Sequence, residues 1–388
     1  MRAYLDHAST SPLRPEAREA LERWLGAADP GRVHTEGRMA RAALEDARQE
    51  VAALFGTRPR QVIFTSGATE SINAATYGAL AGRPPGSRGA VLSDVEHSAV
   101  REASAMWASA RHAVGVDAVG IVDPAEIDGL LRRQPDVALV HCQFANHEVG
   151  TLQPIDEVAS LCRAAGVALH VDAAAAAGRV PIDFDASGVD LMSVSAHKMG
   201  GPAGAGALLV RRGLRVAPLI VGGAQERARR GGLENVAAAA AFGATAAHLS
   251  SPTGESTVLA AEAAAARRRL DRLRAAISAA VPGITWYGPD DPRQALPHIV
   301  CFGVDGVEAE AVLVGLDRVG VAAHSGNSCS SETLEPSPVL AAMGVDAQHS
   351  LRLSVGWSNT DDEVDLASRA LGRVVEDLRR LGDLSGGR

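Results

Sequence analysis

A single lysine is the first feature of this sequence that suggests covalent chemistry. Among its 38 Lys and Arg residues only Lys198 is a lysine, so arginine is used elsewhere for positive charge. An arginine guanidinium stays protonated and forms no imine at neutral pH, whereas a lysine amine in a desolvated site can lose its proton and attack a carbonyl. Lys198 is therefore a candidate covalent residue, and the alternative is an ordinary surface lysine.

The runs on either side of Lys198 favour the covalent interpretation. Lys198 follows the strand-like run VDLMSVSA and His197, and it precedes the glycine-rich run MGGPAGAGALLV. A glycine-rich backbone can approach a bound ligand closely because it has no side chains in the way. We therefore expect Lys198 to lie beside a ligand at the end of a strand.

Short strand-like runs alternate with alanine-rich, helix-like segments between residues 60 and 210. This alternation predicts the α/β class, with a mostly parallel sheet covered by helices. Ligands of such sheets gather at the C-terminal ends of the strands. The six strand-like runs are QVIFTS, GAVLSDV, VALVHCQF, VALHV, DLMSVS and GALLVRR. Polar residues follow the first five, and we expect them to meet at one edge: Gly67-Ala68-Thr69, His97, Asn146, Asp172 and His197-Lys198.

These polar residues suit a phosphorylated ring cofactor. VIFTSGATESIN reads as a strand, a glycine turn and a helix start, where the amides of Ala68 and Thr69 can hold a phosphate. Asp172 suits a protonated pyridinium nitrogen, and His97 suits stacking on the ring and proton movement. The alternatives are an N-cap at Thr69, a helix-capping Asp172 and a structural His97.

Arg352 is a candidate for binding a carboxylate. It lies in the apolar strand-like run LRLSVGW, where an unpaired charge would be costly. A guanidinium can bind a substrate α-carboxylate through two parallel hydrogen bonds. The alternative is an internal salt bridge.

The charge and composition disfavour nucleic acid and membranes as partners. The chain has 388 residues, 46% of them hydrophobic, with a formal net charge of -8 and interspersed acidic and basic residues. No broad basic face is implied, and no apolar stretch is long enough to span a membrane. The start of the chain has no signal-like apolar region, so we expect a cytoplasmic location.

The four cysteines indicate neither disulfides nor a metal site. Cys142, Cys162, Cys301 and Cys329 are widely spaced, with no CxxC pair. The first three lie in apolar or helix-like runs and are predicted to be ordinary buried cysteines. Cys329 differs, because it lies in the polar, turn-rich run HSGNSCSSE.

Two domains are predicted from the length and from a loop-like run near residues 249–257. The large domain would span residues 14–250. Residues 1–13 and 251–388 would form a smaller α+β domain that carries Cys329.

A series of motifs along nearly the whole chain resembles the cysteine desulfurases of the class V aminotransferase superfamily, which are fold type I pyridoxal-phosphate enzymes. The motifs are YLDHASTSP, TSGATESIN, VEHSAV, ANHEVGTLQPI, VDAAAAAGRVPID, SVSAHKMGGPAGAGAL, GGAQERARRGGLEN, HSGNSCSSETLEPSPVL and RLSVGWSNTDDEVD. The stretch from Cys329 through LEPS looks like the longer catalytic-cysteine loop found in one group of this family. The resemblance implies pyridoxal 5'-phosphate as cofactor, L-cysteine as substrate and a homodimer in which residues 225–235 cross the interface.

The same resemblance implies a role for each candidate. Lys198 would hold the cofactor covalently and move the substrate α-proton, and Cys329 would take the sulfur as a persulfide for delivery to an acceptor protein while alanine leaves. The phosphate would be held by Ala68, Thr69, Ser195 and His197. The remaining contacts would be Asn146 beside the ring hydroxyl and the substrate, Asp172 at the ring nitrogen, His97 over the ring and Arg352 on the substrate carboxylate.

Three positions depart from the family pattern. Ala175 stands where the family usually has a Gln that touches the ring oxygen, and Leu233 stands where it has a Thr that reaches the neighbouring subunit's phosphate. Asp29 replaces an Asn that helps to bind substrate. Each lost hydrogen bond is worth on the order of 1 kcal/mol, so we expect looser cofactor retention or a modified substrate pocket.

Two alternative functions stay open at this point. One is another enzyme of the same fold, such as an aminotransferase, a selenocysteine lyase or a C–S lyase that forms no persulfide. The other is a non-catalytic cofactor-binding scaffold, which the missing Gln and Thr make plausible. The sulfur acceptor is not identified by the sequence.

Overall fold

A central sheet of seven strands dominates the computed structural model, which describes residues 2–325, 337–345 and 347–386. The strands of the protein are β1 (Ala3–Tyr4), β2 (Val62–Thr65), β3 (Gly89–Ser93), β4 (Ala110–Val114), β5 (Val137–His141), β6 (Ala168–Asp172), β7 (Leu191–Ser195), β8 (Gly206–Val210), β9 (Pro252–Thr253), β10 (Ser256–Thr257), β11 (Ile284–Tyr287), β12 (Ile299–Val304), β13 (Val321–Ala322), β14 (His324–Ser325) and β15 (Ser350–Ser354).

Helices connect most of the strands in the described part of the chain. They are α1 (Pro15–Trp24), α2 (Thr35–Leu54), α3 (Ala68–Leu80), α4 (Ser98–Trp107), α5 (Pro124–Arg133), α6 (Ile155–Ala165), α7 (Phe184–Ser187), α8 (Gln225–Ala228), α9 (Val236–Ser250), α10 (Val258–Ala280), α11 (Ala309–Arg318), α12 (Pro338–Ala342) and α13 (Asp361–Gly386). α8 is a single turn in which Glu226, Arg227 and Ala228 all have positive φ.

The order of the large sheet is β2-β8-β7-β6-β5-β3-β4. The five strands from β7 to β4 run parallel, and β8 is antiparallel to both of its neighbours. β3, β5, β7 and β8 are buried along their whole length, which explains why their sequences read as continuous apolar runs rather than as alternating ones. The predicted α/β class with a mostly parallel sheet is confirmed.

The six strand-like runs of the sequence all become strands, but the sheet has a seventh. β4 (Ala110–Val114) was absent from those runs because its residues alternate between exposed and half-buried, as on an edge strand. The strands that precede or carry the polar candidates all point in one direction, so they end at one edge, where these candidates were expected. They are β2, β3, β5, β6 and β7.

A smaller antiparallel sheet has the order β11-β12-β15-β14. α10, α11 and α13 pack on it through a second apolar cluster that includes Leu270, Phe302 and Val375. Ala3 and Leu5 belong to the same cluster, whereas Leu259 and Ile299 pack with the large sheet. The domain boundaries at residues 13/14 and 250/251 stay a prediction, and Leu259 and Ile299 are residues of the predicted smaller domain that pack with the large sheet.

The first residues of the chain connect the two sheets. β1 pairs in parallel with β13, and Asp6 bridges to Ser354 on β15. A few residues later the Ser11 hydroxyl donates to the carbonyl of Lys198 at 3.0 Å. The N-terminal segment thus touches both the small sheet and the lysine turn.

In the described part of the chain, no helix combines the length and apolar character that crossing a membrane requires.

Candidate active site

A cavity of about 490 Å³ opens at the C-terminal edge of the large sheet. Its volume lies in the range usual for sites that bind small ligands. Ten residues singled out from the sequence line it: Gly67, Ala68, Thr69, His97, Asp172, Ala175, Ser195, His197, Lys198 and Arg352. The structure therefore brings together residues from β6, β7 and β15 and from the segments that follow β2, β3, β6 and β7.

Lys198 lies in the middle of a short 3-10 helix, His197–Met199. So short a helix leaves backbone carbonyls that need donors from outside it. The carbonyl of Lys198 accepts a hydrogen bond from Arg179 Nη2 at 2.7 Å, and that of Met199 accepts one from Arg14 Nε at 2.8 Å. Both guanidinium groups are buried, so the backbone of the lysine is held firmly while its side chain lines the cavity.

The start of α3 forms an anion-binding end of the cavity. The N-cap residue is Gly67, and no side chain caps the helix. Ser195 Oγ, on β7, is buried, lines the same cavity and has no hydrogen-bond partner among the described residues. An uncapped helix N-terminus beside an unpaired hydroxyl suits a phosphate group.

His197 contributes a neutral imidazole to this end of the cavity. Its Nδ1 lies 3.2 Å from Thr10 Oγ1. Burial, and to a smaller extent the charge of Lys198, lower the pKa of His197 to about 4. His197 is therefore a hydrogen-bonding group and not a cation at neutral pH.

Asp172 is the last residue of β6, and its carboxylate faces the cavity. Its Oδ1 accepts a hydrogen bond from the amide of Ala174 at 2.9 Å, which fixes the orientation of the carboxylate. Ala175 also lines the cavity and has no polar side-chain atom to offer there. The carboxylate is thus positioned to bind a protonated ring nitrogen.

His97 both caps α4 and lines the cavity. Its Nδ1 accepts a hydrogen bond from the amide of Ala99 at 3.1 Å, which assigns the proton of the neutral ring to Nε2. The pKa of His97 is lowered by burial, an effect that Asp172 opposes and Lys198 supports. His97 therefore has the structural role that was the alternative interpretation, as the cap of α4, and it also lines the cavity.

Arg352 forms the internal salt bridge that was the alternative interpretation, while its binding of a substrate carboxylate stays a prediction. It is buried on β15 and donates to Asp6 Oδ1 at 3.0 Å, to Ser9 Oγ at 2.7 Å and to the carbonyl of His147 at 2.9 Å. Its Nε is buried without a hydrogen-bond partner in the described residues, and the side chain lines the cavity. An internal ion pair thus coexists with an unused donor.

Asn146 is placed differently from the other candidates. It is fully buried, and its Oδ1 accepts from the amides of Glu148 at 2.8 Å and Val149 at 2.9 Å. It therefore organises the turn after β5 and is not among the described residues that line the cavity. Its predicted contact with the ring hydroxyl stays a prediction.

The two further departures from the family pattern lie away from the cavity. Asp29 accepts from the amide of Gly31 at 2.7 Å and pairs with Arg32 at 3.0 Å. Leu233 is 64% exposed. Neither belongs to the described residues that line the cavity.

Cys329 lies outside the described residues, but both neighbouring segments are placed. β14 (His324–Ser325) precedes it, and His324 is paired in register with Arg352. After it, the buried hydroxyl of Ser337 donates to Glu148 Oε2. The strand before the Cys329 segment therefore lies beside Arg352, and Ser337, which follows this segment, lies beside the turn that Asn146 organises.

The three other cysteines are buried thiols, as predicted. Burial raises the pKa of Cys162 to about 12. Burial also raises the pKa values of Cys142 and Cys301 far above neutrality. All three stay protonated and are poor nucleophiles. In the described part of the chain, no cluster of three or more His, Cys, Asp or Glu side chains is arranged to hold a metal ion.

Sequence reasoning missed several residues of the site. Gln143, His147 and Glu70 line the cavity, although only neighbours of theirs were singled out. Glu96 is fully buried behind the cavity, and its Oε1 accepts from the amide of Gln143 at 2.7 Å. Its position next to His97 in VEHSAV was the available signal.

Glu96 is a neutral acid at neutral pH. Burial raises its pKa to about 8, and the carboxylate of Asp172 raises it in the same direction. Its Oε2 has no hydrogen-bond partner among the described residues. Glu96 therefore adds no negative charge behind the cavity at neutral pH.

Comparisons with known proteins agree with this geometry. The family model described as aminotransferase class-V matches residues 3–366. The chain is 41% identical over 394 residues to the IscS-like cysteine desulfurase of Mycobacterium tuberculosis, with 97% of each chain covered. The structure of a NifS-like protein from Rickettsia africae superposes with a TM-score of 0.86 at 26% identity, covering 97% of this chain and 100% of the other. The structure of SspA in complex with cysteine superposes with a TM-score of 0.77 at 25% identity, covering 91% of this chain and 99% of the other.

Proposed function

We propose, from the premise that this chain belongs to the class-V aminotransferase family, that it is a pyridoxal-phosphate-dependent cysteine desulfurase. It converts L-cysteine to L-alanine, holds the sulfur as a persulfide on Cys329 and passes it to an acceptor protein. The observation that carries the proposal is the single cavity that collects Lys198, Asp172 and Arg352. An amine, a ring-nitrogen partner and a carboxylate-binding guanidinium are the groups that such a reaction requires.

The described residues fit pyridoxal phosphate. The uncapped helix at Gly67 and the unpaired Ser195 hydroxyl suit its phosphate, Asp172 suits its ring nitrogen and Lys198 suits its aldehyde. When bound, the cofactor supplies an electron sink that stabilises negative charge on the substrate's α-carbon.

Arg352 orients the substrate. Its buried Nε lacks a partner within the described residues, and its other nitrogens are held by Asp6, Ser9 and the His147 carbonyl. A guanidinium held on one side presents its remaining donor in a fixed direction, so binding the substrate carboxylate loses little side-chain freedom.

Lys198 moves the α-proton of the substrate. Arg179 and Ser11 donate to its backbone carbonyl, so the backbone stays fixed while the side-chain amine changes position in the cavity. His97 presents its Nε2 proton from the start of α4, because Nδ1 is occupied by the Ala99 amide. General acid–base groups held in this way typically contribute about 10²–10⁴-fold to a rate.

Cys329 accepts the sulfur. Its thiolate attacks the substrate sulfur, the bond between that sulfur and the β-carbon breaks, and the carbon keeps the electron pair and takes up a proton to give alanine. Cys329 is four positions along the chain from Ser325, which is a reach of at most about 14 Å. Since β14 pairs with the strand of Arg352, this reach supports delivery of the thiol to the bound substrate.

The proposed assembly is a cytoplasmic homodimer in which residues 225–235 reach the neighbouring subunit. Ile220, Val221 and Leu233 are exposed apolar side chains next to or within this segment, at 39%, 77% and 64% exposure. Apolar side chains exposed together favour burial against another protein surface. The proposed partners are L-cysteine and a sulfur-acceptor protein, without direct nucleic-acid or membrane contact.

The test is a comparison of cysteine variants in the full-length protein. Cys329→Ala should abolish persulfide formation, and sulfide release from cysteine should stop in the absence of a reductant. Cys162→Ala is the matched control, because that thiol is buried in α6 away from the cavity. Alanine is quantified by chromatography and the persulfide by mass spectrometry of the intact protein.

The same experiment separates the alternatives. Sustained sulfide release from Cys329→Ala over many turnovers without a reductant would indicate a C–S lyase that forms no persulfide. An unchanged cofactor absorbance on addition of cysteine, with no alanine formed, would indicate a non-catalytic scaffold. Lys198→Ala should lose the covalent attachment of the cofactor, which borohydride reduction and mass spectrometry detect in the unsubstituted protein.

A further inference from the structure

Glu70 places a carboxylate at the phosphate end of the cavity. It is the third residue of α3, lines the cavity and has a side chain that is only 11% exposed. Its Oε2 accepts from the amide of Ser66 at 2.8 Å, which closes the turn before the helix. A carboxylate near a helix N-terminus is favourable for the helix, but it competes with an anionic ligand for the same positive end.

Arg230 neutralises this carboxylate. Its Nε donates to Glu70 Oε1 at 3.0 Å and its Nη2 donates to Oε2 at 3.3 Å, although the two residues are 160 positions apart. Burial alone would raise the pKa of Glu70, but the hydrogen bonds from Arg230 and Ser66 lower it, so the pair is ionic. The arginine therefore cancels a charge that would otherwise repel phosphate.

A second contact fixes the same two segments relative to one another. Glu226, in the left-handed turn α8, binds Arg48 on α2 through two hydrogen bonds of 2.6 and 2.7 Å. Its Oε2 also accepts from the amide of Phe64 on β2 at 3.0 Å. β2 leads directly into the turn at Gly67. Residues 225–235 therefore contact the chain before this turn, through Glu226 and Phe64, and after it, through Arg230 and Glu70.

We propose that Arg230 is a positioning residue for the cofactor phosphate, acting by neutralising Glu70 so that the start of α3 accepts an anion. This inference rests on the proposed function, since it assigns the anion to pyridoxal phosphate. Arg230 does not need to touch the phosphate itself. It also makes phosphate affinity depend on the placement of residues 225–235, the segment proposed to reach the neighbouring subunit.

The test is a double-mutant cycle on the cofactor-depleted, full-length protein. Arg230→Met should weaken the binding of pyridoxal phosphate and of inorganic phosphate by about tenfold or more, because the carboxylate of Glu70 is left without its counter-charge. Glu70→Gln keeps an oxygen for the Ser66 amide and should bind both at least as well as the unsubstituted protein. The double variant should return to within about threefold of the unsubstituted protein.

Pyridoxal without its phosphate is the discriminating probe. Its affinity should change by less than about twofold in Arg230→Met, because it brings no anion to the start of α3. Arg227→Met is the matched control: it removes the same charge from the same segment, but Arg227 pairs with Glu45 and not with Glu70. It should leave all three affinities unchanged. If Arg230→Met does not fold, Arg230→Gln provides the same charge removal with hydrogen-bonding capacity retained.

Three results would overturn the proposal: equal phosphate affinity in Arg230→Met and the unsubstituted protein, an equal loss for pyridoxal, or a double variant as weak as Arg230→Met. These results differ from failure of the proposed function. An unsubstituted protein that does not bind pyridoxal phosphate contradicts that function, and the inorganic phosphate measurements still test the Arg230–Glu70 pair.

Discussion

Arg352 donates a hydrogen bond to Asp6 across 346 positions of sequence, at 3.0 Å and inside the wall of the cavity. Asp6 comes from the N-terminal segment, and Arg352 comes from the central part of the smaller sheet. A carboxylate that already binds the guanidinium limits how a second carboxylate can approach it. We therefore expect a substrate carboxylate to use the donor that Asp6 leaves unoccupied.

Arg352→Lys should impair the binding of cysteine while the cofactor stays bound. A lysine ammonium cannot hold Asp6, Ser9 and a substrate carboxylate in the planar arrangement of a guanidinium. Losing one hydrogen bond to a charged group corresponds to about 1.5–3 kcal/mol, so kcat/KM should fall by about 10- to 100-fold, mainly through KM. Steady-state alanine formation measures this. Arg318→Lys, at the exposed end of α11, is the control, and an unchanged KM in Arg352→Lys would contradict the assignment.

Asp172→Asn should slow the reaction without releasing the cofactor. The amide oxygen can still accept from Ala174, but the side chain no longer stabilises a proton on the ring nitrogen. Removing a preorganised electrostatic partner of this kind typically lowers kcat by about 10²–10³-fold. Asp94→Asn, exposed just after β3, should keep full activity. Full activity in Asp172→Asn would show that Asp172 is not the partner of the ring nitrogen.

Glu96→Gln should change how stability depends on pH. The pKa of Glu96 in the folded protein is about 8, above its ordinary value of 4.5, so the folded state retains a proton that the unfolded state has already released. The free energy of unfolding therefore falls as pH rises through that window, by at most about 1.4 kcal/mol per pH unit from this group. The Gln variant lacks this slope and should gain stability relative to the unsubstituted protein as pH rises.

Urea unfolding at several pH values within that window measures the effect. The other charged groups that act on Glu96 are Asp172 and Arg101, and both are unchanged in the variant. Glu102→Gln, exposed on α4, is the control and should follow the pH profile of the unsubstituted protein. Parallel profiles for Glu96→Gln and the unsubstituted protein would show that Glu96 is ionised throughout.

Gly206→Ala should disturb the phosphate end of the cavity. A Cβ at Gly206 would lie 2.6 Å from Gly67 Cα and 2.7 Å from the carbonyl oxygen of Val194, and both of these are backbone atoms. Overpacking of this kind typically costs about 1–3 kcal/mol, and the displaced turn at Gly67 should also bind pyridoxal phosphate more weakly.

Thermal unfolding with and without the cofactor checks this prediction. Gly82→Ala is the control, because a Cβ at Gly82 meets nothing within 4 Å. Its stability should stay within about 0.5 kcal/mol of the unsubstituted protein. A Gly206→Ala protein with the same melting temperature and cofactor affinity would show that β2 and β8 can move apart at no cost.

The edge of the large sheet where the candidate residues meet was predictable, because the direction of parallel strands determines it. Parallel strands end at one edge, so residues after successive apolar runs had to meet, as Asp172, His97 and Lys198 do. Long-range partners could not be predicted in this way. The contact of Arg352 with Asp6 and that of Glu70 with Arg230 join distant positions, and neither residue type indicates its partner.

Asn146 and Glu96 show a second limit. A polar residue at a strand end either faces the ligand or bonds to nearby backbone, and the sequence does not distinguish the two. Asn146 accepts from amides two and three residues ahead, as turn-forming asparagines commonly do. Glu96 is buried behind the cavity, where the carboxyl binds the amide of Gln143.

The N-terminal segment has a practical consequence for protein engineering. β1 pairs with β13, which lies just before β14 and the segment of Cys329, while Ser11 donates to the carbonyl of Lys198. The N-terminal segment thus contacts both the backbone of Lys198 and β13, the strand that precedes β14 and the Cys329 segment. We expect a truncation or a bulky fusion that displaces residues 3–11 to impair both the cofactor attachment proposed for Lys198 and the sulfur transfer proposed for Cys329, so such a variant would not separate these two steps.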